Sequence, residues 1–360
     1  MRILHITFSL ENSGKENMLV DIAEEQQKLG HKLAIVVVND LVEENLVQRI
    51  PQSIRFWCLN RKPGSKNPIP FLKLFDILHR CFKPDVVHAH DVYLGKPLKK
   101  MFAKAVVLTI HGPGMDIGPM KYFDNLFAIS NSVKFDVESR GFLPCNMIYN
   151  GIRTSEIFRR TSYKFDSELK IVFVKRLNHQ RKGQDLLIRA IKMLVKEKNC
   201  NPYNLKVYLV GDGESYGYLQ KMIFKSNLSE TVILLGNKNR DWIYANLCDY
   251  HLFVHPSRYE GFGLVVAEAM AAGIPIVSSA IEGPAEILAN GKYGLLFENN
   301  DAKDLADKIE QAVKMYTEGT IKQLADHAYK HCVDNFDISI TAANYCKYYL
   351  PDKNINQKKI

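Results

Sequence analysis

Two glutamates, Glu260 and Glu268, stand in a stretch whose pattern could bind a ligand. Residues 256–273 follow a predicted strand, and they predict a glycine-bearing turn that opens a short, almost entirely apolar helix. A helix this apolar is expected to be buried. Glu268 would then be a buried carboxylate without an adjacent Lys or Arg, which is costly unless hydrogen bonds reach it. A ligand diol would supply those bonds, and the alternative is a structural carboxylate held by backbone amides.

The start of the same helix suits an anion. The backbone N–H groups of Gly261, Phe262, Gly263 and Leu264 have no partner within the helix, and the helix dipole favours negative charge at that end. A diphosphate would fit there.

A second group of charged residues lies in the loop after the predicted strand at residues 170–174. Both Arg176 and Lys182 belong to this loop. A bidentate guanidinium beside an ammonium can neutralise a diphosphate leaving group. A solvated basic loop would have the same sequence, so that alternative stays open at this point.

Histidines end two further predicted strands. His88 and His90 close one strand together with Asp91, and His111 follows the next. We expect His88 and His90 to project from opposite faces of their strand, so that they would not share an ion and His88 would be a core or capping histidine. A pair of aspartates spaced Asp-x-Asp, a common way to hold a divalent ion, does not occur in the sequence. No metal site is predicted.

Two loops carry glycines after predicted strands. Residues 211–217, Gly-Asp-Gly-Glu-Ser-Tyr-Gly, are similar to a dinucleotide fingerprint, but the third glycine is one residue late. The acidic residue expected at a strand end about 20 residues on is also missing, so a nicotinamide cofactor is not predicted. Residues 9–15, with Gly14, are the remaining candidate for close approach of the backbone to a ligand.

These candidates must be positioned by the elements between them. Continuous β-branched runs separated by amphipathic helices predict a parallel sheet covered on both faces, and the pattern occurs twice. The predicted strands are residues 3–7, 33–38, 85–88 and 105–109, then 170–174, 205–210, 231–235, 251–254 and 274–277. The fold class is therefore α/β, with two doubly wound parallel-sheet (Rossmann-like) domains. Their ligands would lie at the carboxyl ends of the strands.

Length and linker signals predict where the domains divide. A chain of 360 residues favours two domains. Asn-Gly-Ile at residues 150–152 and the polar stretch 159–167 mark the linker. We predict an N-terminal domain at residues 1–160, with a C-terminal helix of about residues 337–360 packing back on it, and a C-terminal domain at residues 161–336.

Composition excludes several classes of protein. With 46% hydrophobic and 24% charged residues, the chain is neither fibrous nor largely disordered. Seven scattered cysteines, never spaced Cys-x-x-Cys, favour neither a disulfide framework nor a zinc ribbon and indicate a reducing compartment. The apolar start ends at Glu11, before a signal peptide or a membrane span would be complete.

The net charge of +9 is unevenly placed. Residues 55–104 contain eleven Lys or Arg residues and three Asp residues, a net charge of +8. A basic surface of this kind fits nucleic acid, an anionic membrane or a phosphorylated substrate, or it is a solvated face without a partner. No helix-turn-helix, zinc-finger or interleaved aromatic motif accompanies the charge, so nucleic acid is not a predicted partner.

Taken together, these residues resemble the retaining glycosyltransferases of family 4, which have a two-domain B-type fold. The likeness spans nearly the whole chain. Glu260 and Glu268 match the family's Glu-x7-Glu element. Arg176 and Lys182 match its Arg-x5-Lys pair, and residues 210–213 match its Val-Gly-Asp-Gly turn.

The chain departs from the family pattern in two loops. Glycine usually precedes the arginine of the basic pair, whereas this chain has Lys175. The first loop usually has paired glycines before a small polar residue and a glutamate. Residues 12–16 read Asn-Ser-Gly-Lys-Glu instead, so only Gly14 is carried over from the family.

The resemblance implies a role for each domain and for each candidate residue. The domain at residues 1–160 would bind the acceptor, and the domain at residues 161–336 would bind the nucleotide sugar. Glu268 would hold the ribose hydroxyls of a nucleotide, and Glu260 would contact the donor sugar near the reacting carbon. Arg176 and Lys182 would hold the diphosphate, and His111 would approach the sugar from the other domain. The implied catalytic residues are His111, Glu260, Arg176 and Lys182, and the implied donor-binding residues are Gly14, Arg176, Lys182, Glu260, Gly261, Phe262, Gly263, Leu264 and Glu268.

The resemblance also implies a reaction, namely transfer of a hexose or N-acetylhexosamine from a nucleotide diphosphate sugar, with retention and without a metal or other cofactor. The acceptor would be a glycan hydroxyl, on a lipid-diphosphate-linked chain of surface polysaccharide such as O-antigen or capsule. We expect the protein in the cytoplasm, peripherally bound to the anionic inner face of the plasma membrane. A sugar-nucleotide epimerase of the same fold and a non-catalytic basic binding protein remain alternatives.

Overall fold

The computed structural model of the protein describes residues 1–11, 13–141, 144–164, 168–196 and 204–349. It divides into two compact units. The first unit comprises Met1–Ile152 and the chain from Asp337 onward, and the second comprises Arg153–Phe336. Each unit is a parallel sheet flanked by helices, so the predicted fold class of two doubly wound α/β domains is confirmed.

The first unit is built on a seven-stranded parallel sheet with the strand order β3-β2-β1-β4-β5-β6-β7. Its strands are β1 (Arg2–Thr7), β2 (Lys32–Asn39), β3 (Arg55–Arg61), β4 (Val86–Ala89), β5 (Ala105–Ile110), β6 (Asn125–Ala128) and β7 (Asn146–Met147). The helices between them are α1 (Gly14–Lys28), α2 (Glu44–Gln48), α3 (Ile69–Asp76), α4 (Gly95–Met101) and α5 (Asn131–Ser139).

Burial in this unit follows the sequence pattern. β2 is buried from Leu33 to its end, as expected for a strand that helices cover on both faces. α1 contributes Met18 and Ile22, one helical turn apart, to the core that covers the sheet. The strand order reverses between β1 and β4, and in such sheets ligands bind outside the carboxyl ends of the strands at that point.

The second unit has a six-stranded parallel sheet with the strand order β10-β9-β8-β11-β12-β13. Its strands are β8 (Lys170–Val174), β9 (Lys206–Val210), β10 (Val232–Gly236), β11 (Leu252–His255), β12 (Ile276–Ser279) and β13 (Leu295–Phe297). Its helices are α6 (His179–Lys182), α7 (Gln184–Lys196), α8 (Tyr216–Lys225), α9 (Arg240–Asn246), α10 (Leu264–Ala271), α11 (Glu282–Ile287), α12 (Ala302–Thr317) and α13 (Ile321–Phe336). Here the strand order reverses between β8 and β11.

The chain returns to the first unit through its last described helix, α14 (Ile338–Tyr348). The amide of Ile338 donates to the carbonyl of Ile152 at 2.8 Å. Tyr345 and Tyr349 are buried in the core of the first unit. The predicted C-terminal helix extends further, but residues 350–360 lie outside the described part of the chain.

The first division between the units falls after Ile152 rather than near residue 160. Backbone hydrogen bonds explain the difference. The amide of Phe158 donates to Tyr244 O at 3.0 Å, and the amide of Arg160 donates to Ala272 O at 2.8 Å. The segment after Ile152 is therefore fixed to the second unit.

The sequence pattern did not predict several strands, because they are short or polar. β3 begins and ends with arginine and is only half-buried, β6 has four residues, and β13 has three. Strands this short or this exposed lack the long continuous apolar run that marks a fully buried parallel strand. None of the helices in the described ranges has the length and apolar character needed to cross a bilayer.

Glycines allow the loops at the carboxyl edge of the second sheet to approach one another. A Cβ on Gly183, which has φ of +71°, would lie 1.9 Å from Pro256 O. A Cβ on Gly211 would lie 2.0 Å from Lys175 O, and one on Gly213 would lie 2.6 Å from Leu177 O. These contacts place the loops after β8, β9 and β11 against each other, backbone to backbone.

We predict that Gly183→Ala destabilises the second unit more than Gly319→Ala does. Both glycines have a left-handed φ, +71° and +76°, so both substitutions carry a backbone strain of about 1 to 2 kcal/mol. Gly319 has no atom within 4 Å of the added Cβ, whereas Gly183 would collide with Pro256 O. The collision should add about 1 to 3 kcal/mol. Urea unfolding followed by circular dichroism measures both losses, and equal losses would show that the loops are not tightly packed.

Candidate functional site

Three charged side chains meet at the carboxyl edge of the second sheet. Glu260 lies in the loop after β11, and its Oε2 accepts hydrogen bonds from Lys175 Nζ at 2.6 Å and from Lys182 Nζ at 2.9 Å. Their side chains are 16, 15 and 18% exposed, respectively. We call these three residues the lysine clamp. The structure thus brings together two of the predicted site residues, Lys182 and Glu260.

The charge state of the clamp follows from its surroundings. Burial alone would raise the pKa of Glu260, but Lys175 and Lys182 outweigh it and hold that pKa at about 2. Burial and the charge of Lys175 lower the pKa of Lys182. His255 Nε2 lies 3.9 Å from Glu260 Oε2, and burial lowers the pKa of this histidine to about 3, so its ring is neutral at pH 7. The clamp therefore joins one carboxylate to two lysines, and a bound anion would balance the excess positive charge.

Lys175 was not among the predicted site residues. In the sequence, Lys175 is only a departure from the family pattern. A lysine at a strand end can equally be solvated, so its position alone does not predict a site. In the structure its amide donates to Val210 O at 3.0 Å, which continues the pairing of β8 with β9 and directs the side chain to Glu260. The signal that could have found it is the unusual replacement of glycine beside a basic pair.

Arg176 is placed differently from Lys182. Its side chain is 76% exposed, and its Nε lies 3.3 Å from a carboxylate oxygen of Glu214 in the loop after β9. An ion pair this exposed contributes little to stability, so the guanidinium can exchange partners readily. The predicted pairing of Arg176 with Lys182 on a diphosphate remains a prediction.

The predicted turn and helix around Gly261, Phe262, Gly263 and Leu264 are present. α10 begins at Leu264, and Gly263 precedes it with φ of +104°. Phe262 is buried, and a Cβ on Gly283, in α11, would lie 2.8 Å from its amide nitrogen. The start of α10 is therefore fixed by close backbone packing against α11.

Glu268 lies on α10 as predicted, but the expectation that it is buried is wrong. The side chain is half-buried, because α10 turns Val266, Ala267 and Met270 into the core and leaves Glu268 on another side. A carboxylate in this position keeps part of its hydration, so its burial no longer requires a ligand diol. Its role in binding ribose remains a prediction.

An arginine holds the loop of Glu260 to α7. Arg258 donates from both terminal nitrogens to Asp185, at 2.8 and 2.9 Å. Burial acts to raise the pKa of Asp185, but hydrogen bonds and charge from Arg258 lower it overall. A bidentate pair of this kind fixes orientation as well as distance. The loops after β8 and β11 therefore keep one spacing, which sets the geometry of the lysine clamp.

His5, His88 and His90 of the first unit lie on one face of the sheet, not on two. The expectation that His88 and His90 project apart is wrong, because residues i and i+2 of a strand share a face. Their rings stack with centroids 4.4 Å apart, and the His5 ring of β1 lies 5.0 Å from His88. His88 is fully buried, which fits the core histidine that was one of its predicted roles.

His111 lies at the end of a hydrogen-bonded series of histidines. Its Nε2 lies 3.2 Å from His90 Nδ1, and His90 Nε2 lies 3.1 Å from His5 Nδ1. His5 Nε2 in turn lies 2.8 Å from Gln26 Oε1 on α1. Burial is the main cause that lowers the pKa of His5 to about 4 and of His111 to about 3. These rings are neutral at pH 7.

The close approach of His5, His88 and His90 raises the question of a metal ion, because their nitrogens lie within 4.8 Å of one another. Hydrogen bonds account for all six ring nitrogens of the three residues. His88 Nδ1 lies 2.8 Å from Tyr349 Oη, and His88 Nε2 lies 2.7 Å from Thr109 Oγ1. An ion would have to break several of these bonds in a dry core, so the residues fit a hydrogen-bonded network better than a metal centre.

The first loop forms an ion pair at the carboxyl end of β1. Asp91 accepts hydrogen bonds from the Phe8 amide at 2.7 Å and from Lys15 Nζ at 3.1 Å. Gly14 is the first residue of α1 and is exposed. Its predicted contact with the donor remains a prediction.

Comparison with protein families covers most of the chain. The model of group 1 glycosyl transferases matches residues 154–331, and the model of glycosyltransferase family 4 matches residues 12–156. Both families consist of glycosyl transferases. This result disfavours the alternatives of an epimerase and of a non-catalytic binding protein.

Individual relatives agree with the family models. An uncharacterised glycosyltransferase of Methanocaldococcus jannaschii is 31% identical over 75% of this chain and 83% of its own length. A poly(ribitol-phosphate) α-N-acetylglucosaminyltransferase of Staphylococcus aureus is 31% identical over 70% of this chain and 47% of its own length.

A solved structure shows the same fold. The crystal structure of Anabaena HepE with UDP and glucose superposes with a TM-score of 0.80 at 20% identity, covering 96% of this chain and 98% of the other. The family models, the identity to an archaeal glycosyltransferase and the two parallel-sheet units agree. The chain therefore belongs to glycosyltransferase family 4, whose members have the B-type fold.

Proposed function

We propose that the protein transfers a hexose or N-acetylhexosamine from a nucleotide diphosphate sugar to a hydroxyl of a glycan, with retention of configuration. The lysine clamp is the observation that carries the proposal. It holds an ionised carboxylate and two lysines beside the start of α10. This place is at the carboxyl ends of β8 and β11, between which the strand order of the second sheet reverses. A sequence relative named for N-acetylglucosamine transfer supports this donor class, and so does a structural neighbour solved with UDP and glucose.

The diphosphate is proposed to bind where positive charge is already in excess. Lys182 would exchange part of its contact with Glu260 for a phosphate oxygen, while Lys175 keeps the carboxylate in place. Arg176 would leave its exposed pair with Glu214 and add a bidentate contact. Backbone N–H groups at the start of α10 would complete the site.

Glu260 is proposed to act on the sugar rather than on the phosphates. An ionised carboxylate repels a diphosphate but accepts hydrogen bonds from sugar hydroxyls and stabilises positive charge at the reacting carbon. The low pKa of Glu260 keeps it from donating a proton at pH 7. Glu268, four residues after the first residue of α10, would accept hydrogen bonds from the ribose hydroxyls.

The reaction is proposed to proceed on one face of the sugar. The bond from the anomeric carbon to the diphosphate breaks, and the bond to the acceptor oxygen forms on the same side. The departing phosphate takes the acceptor's proton. Lys182, Arg176 and the α10 start would stabilise the charge that grows on the diphosphate. We propose that these groups take the place of a metal ion.

The acceptor is proposed to be a lipid-linked glycan of surface polysaccharide, met at an anionic membrane. α3 supports this proposal because Ile69, Leu72 and Phe75, spaced three residues apart, are exposed while Leu74 is buried. The alternative is an ordinary helix with Phe71, Leu74 and Phe75 on its core face, but in the structure only Leu74 is fully buried, while Phe71 is half-buried and Phe75 is exposed. Lys73 on α3 adds positive charge, and exposed apolar side chains beside lysines are typical of interfacial binding. The protein would then work peripherally at the cytoplasmic face of the membrane.

We predict that Glu268→Ala weakens the binding of UDP or GDP by about 1.5 to 3 kcal/mol, because two ribose hydroxyls lose a charged partner. Glu268→Gln, which keeps an acceptor, should lose less. Thermal unfolding with a panel of nucleotides and sugar nucleotides measures this, since a ligand at a hundred times its dissociation constant adds about 2.7 kcal/mol of stability.

Glu260→Ala provides the contrast in the same assay. Without the carboxylate, Lys175 and Lys182 are free to bind the diphosphate, so nucleotide affinity should hold or rise while turnover falls. Unchanged nucleotide affinity in Glu268→Ala, or normal turnover in Glu260→Ala, would refute the role given to that residue. No stabilisation by any nucleotide would refute the proposed donor class.

We predict that the protein sediments with vesicles containing anionic lipid at low salt and that changing Lys96 and Lys100 of α4 to Glu weakens this binding. Each lysine near the surface contributes on the order of 1 kcal/mol. Neither of these two has an ion pair among the described residues, whereas Lys99 is paired with Asp124 and Lys104 with Asp85.

The matched control changes the same charge in the second unit, at the exposed Lys221 and Lys225 of α8. Replacing Leu72 and Phe75 by Ser tests the apolar part of the surface, and it should weaken binding even at high salt. Absence of vesicle binding at low salt, or equal loss in the control, would contradict the membrane proposal and leave the transferase proposal intact.

A further inference from the structure

A continuous series of hydrogen bonds connects α1 with the end of β5. It begins at Gln26 Oε1, which lies 2.8 Å from His5 Nε2. His5 Nδ1 and His90 Nε2 are 3.1 Å apart, and His90 Nδ1 and His111 Nε2 are 3.2 Å apart. Gln26, His5 and His90 are buried. The series therefore runs through the core and reaches the half-buried His111.

A second branch leaves the same glutamine in the other direction. Gln26 Nε2 donates to Tyr349 Oη at 2.6 Å, and Tyr349 Oη lies 2.8 Å from His88 Nδ1. His88 Nε2 lies 2.7 Å from Thr109 Oγ1, which lies 3.0 Å from Tyr345 Oη. Gln26 is thus the branch point, with its oxygen facing the histidines and its nitrogen facing α14.

The glutamine fixes the direction of every hydrogen bond in the first branch. Its Oε1 can only accept, so His5 must carry its hydrogen on Nε2 and accept on Nδ1. His90 then carries its hydrogen on Nε2 and accepts on Nδ1, and His111 donates from Nε2. A neutral imidazole has one N–H. The orientation of the Gln26 amide, with Oε1 towards His5, therefore decides the tautomers of His5, His90 and His111.

The core of the first unit favours the neutral form of these histidine rings. His90 is fully buried, and burial is the main cause that lowers its pKa well below the ordinary value. With the other rings unchanged, a proton added to Nδ1 of His5 or of His90 would place two N–H groups against each other in the 3.1 or the 3.2 Å contact. The series therefore persists as neutral, singly protonated rings.

We propose that Gln26 is a positioning residue that holds His111 in its Nε2–H tautomer, so that His111 Nδ1 is presented as a hydrogen-bond acceptor to a hydroxyl of the bound sugar or acceptor. His111 Nδ1 has no partner among the residues that the structure describes. The ligand group it suits is an O–H, because a lone pair on a neutral ring attracts a donor and repels a phosphate oxygen. The tautomer is a property of the protein alone, and only the identity of the hydroxyl rests on the proposed function.

The tautomer can be measured by nitrogen NMR on the whole protein labelled with 15N at histidine, with the His111 signals identified by their loss in His111→Asn. The expected spectrum at pH 7 has a protonated Nε2 and an unprotonated Nδ1 at His111. In Gln26→Leu we expect both shifts to move towards each other, because the ring then samples both tautomers. A protonated Nδ1 in the unsubstituted protein would overturn the proposal, and this result needs no variant to fold.

Two further variants separate positioning from general damage to the core. Gln26→Glu, as the neutral acid, still accepts from His5 and donates to Tyr349, and it should restore the His111 shifts. Tyr345→Phe removes a buried hydroxyl at the far end of the other branch and should leave those shifts unchanged. Unchanged His111 shifts in Gln26→Leu, or shifts in Tyr345→Phe as large as those in Gln26→Leu, would contradict the role of Gln26.

Kinetics with the sugar nucleotide that stabilises the protein provide the link to function. Loss of one oriented hydrogen bond should lower kcat in Gln26→Leu roughly tenfold. The KM of the donor should change little, because the lysine clamp is untouched. A raised KM with unchanged kcat would contradict the role of His111 Nδ1 in turnover. Failure of the transferase proposal has a different signature, namely no transfer at all with the NMR results intact.

Discussion

The structure of the second unit depends on keeping the Glu260 carboxylate ionised where little water reaches it. An isolated carboxylate would gain a proton in such a place, because burial disfavours the charged form. Lys175 and Lys182 prevent this from two sides of one oxygen. The arrangement requires that residues from the loops after β8 and β11 come within hydrogen-bond distance, and the backbone contacts at Gly183 and Gly211 make that approach possible.

The first unit solves a related problem with neutral groups. Histidines lie at three neighbouring strands of its sheet, and each buried ring nitrogen requires a hydrogen-bond partner. Gln26 supplies one partner from α1, and Tyr349 supplies another after α14. The segment that returns from the second unit therefore contributes hydrogen bonds as well as packing, because Tyr349 completes the network of which His111 is one end.

The sequence predicted the parts of the molecule that follow from periodicity. β1, β2, β5, β8 and β9 are continuous β-branched runs, and α10 has the predicted turn at its start. Parts that depend on partners distant in the sequence were not predictable. The half-buried edge strand β3 carries no continuous apolar run, and nothing local shows that Gln26 meets His5 or that Lys175 meets Glu260. The face shared by His88 and His90 could have been inferred from strand geometry alone.

The central claim is that the chain's own cations hold a nucleotide diphosphate without a metal ion. Calorimetric titration of chelator-treated protein with UDP or GDP, whichever stabilises it, with and without added magnesium, tests this claim most directly. The account predicts the same dissociation constant in both conditions and much weaker binding of the nucleoside without phosphates. Binding that disappears in chelator and returns with magnesium would contradict it.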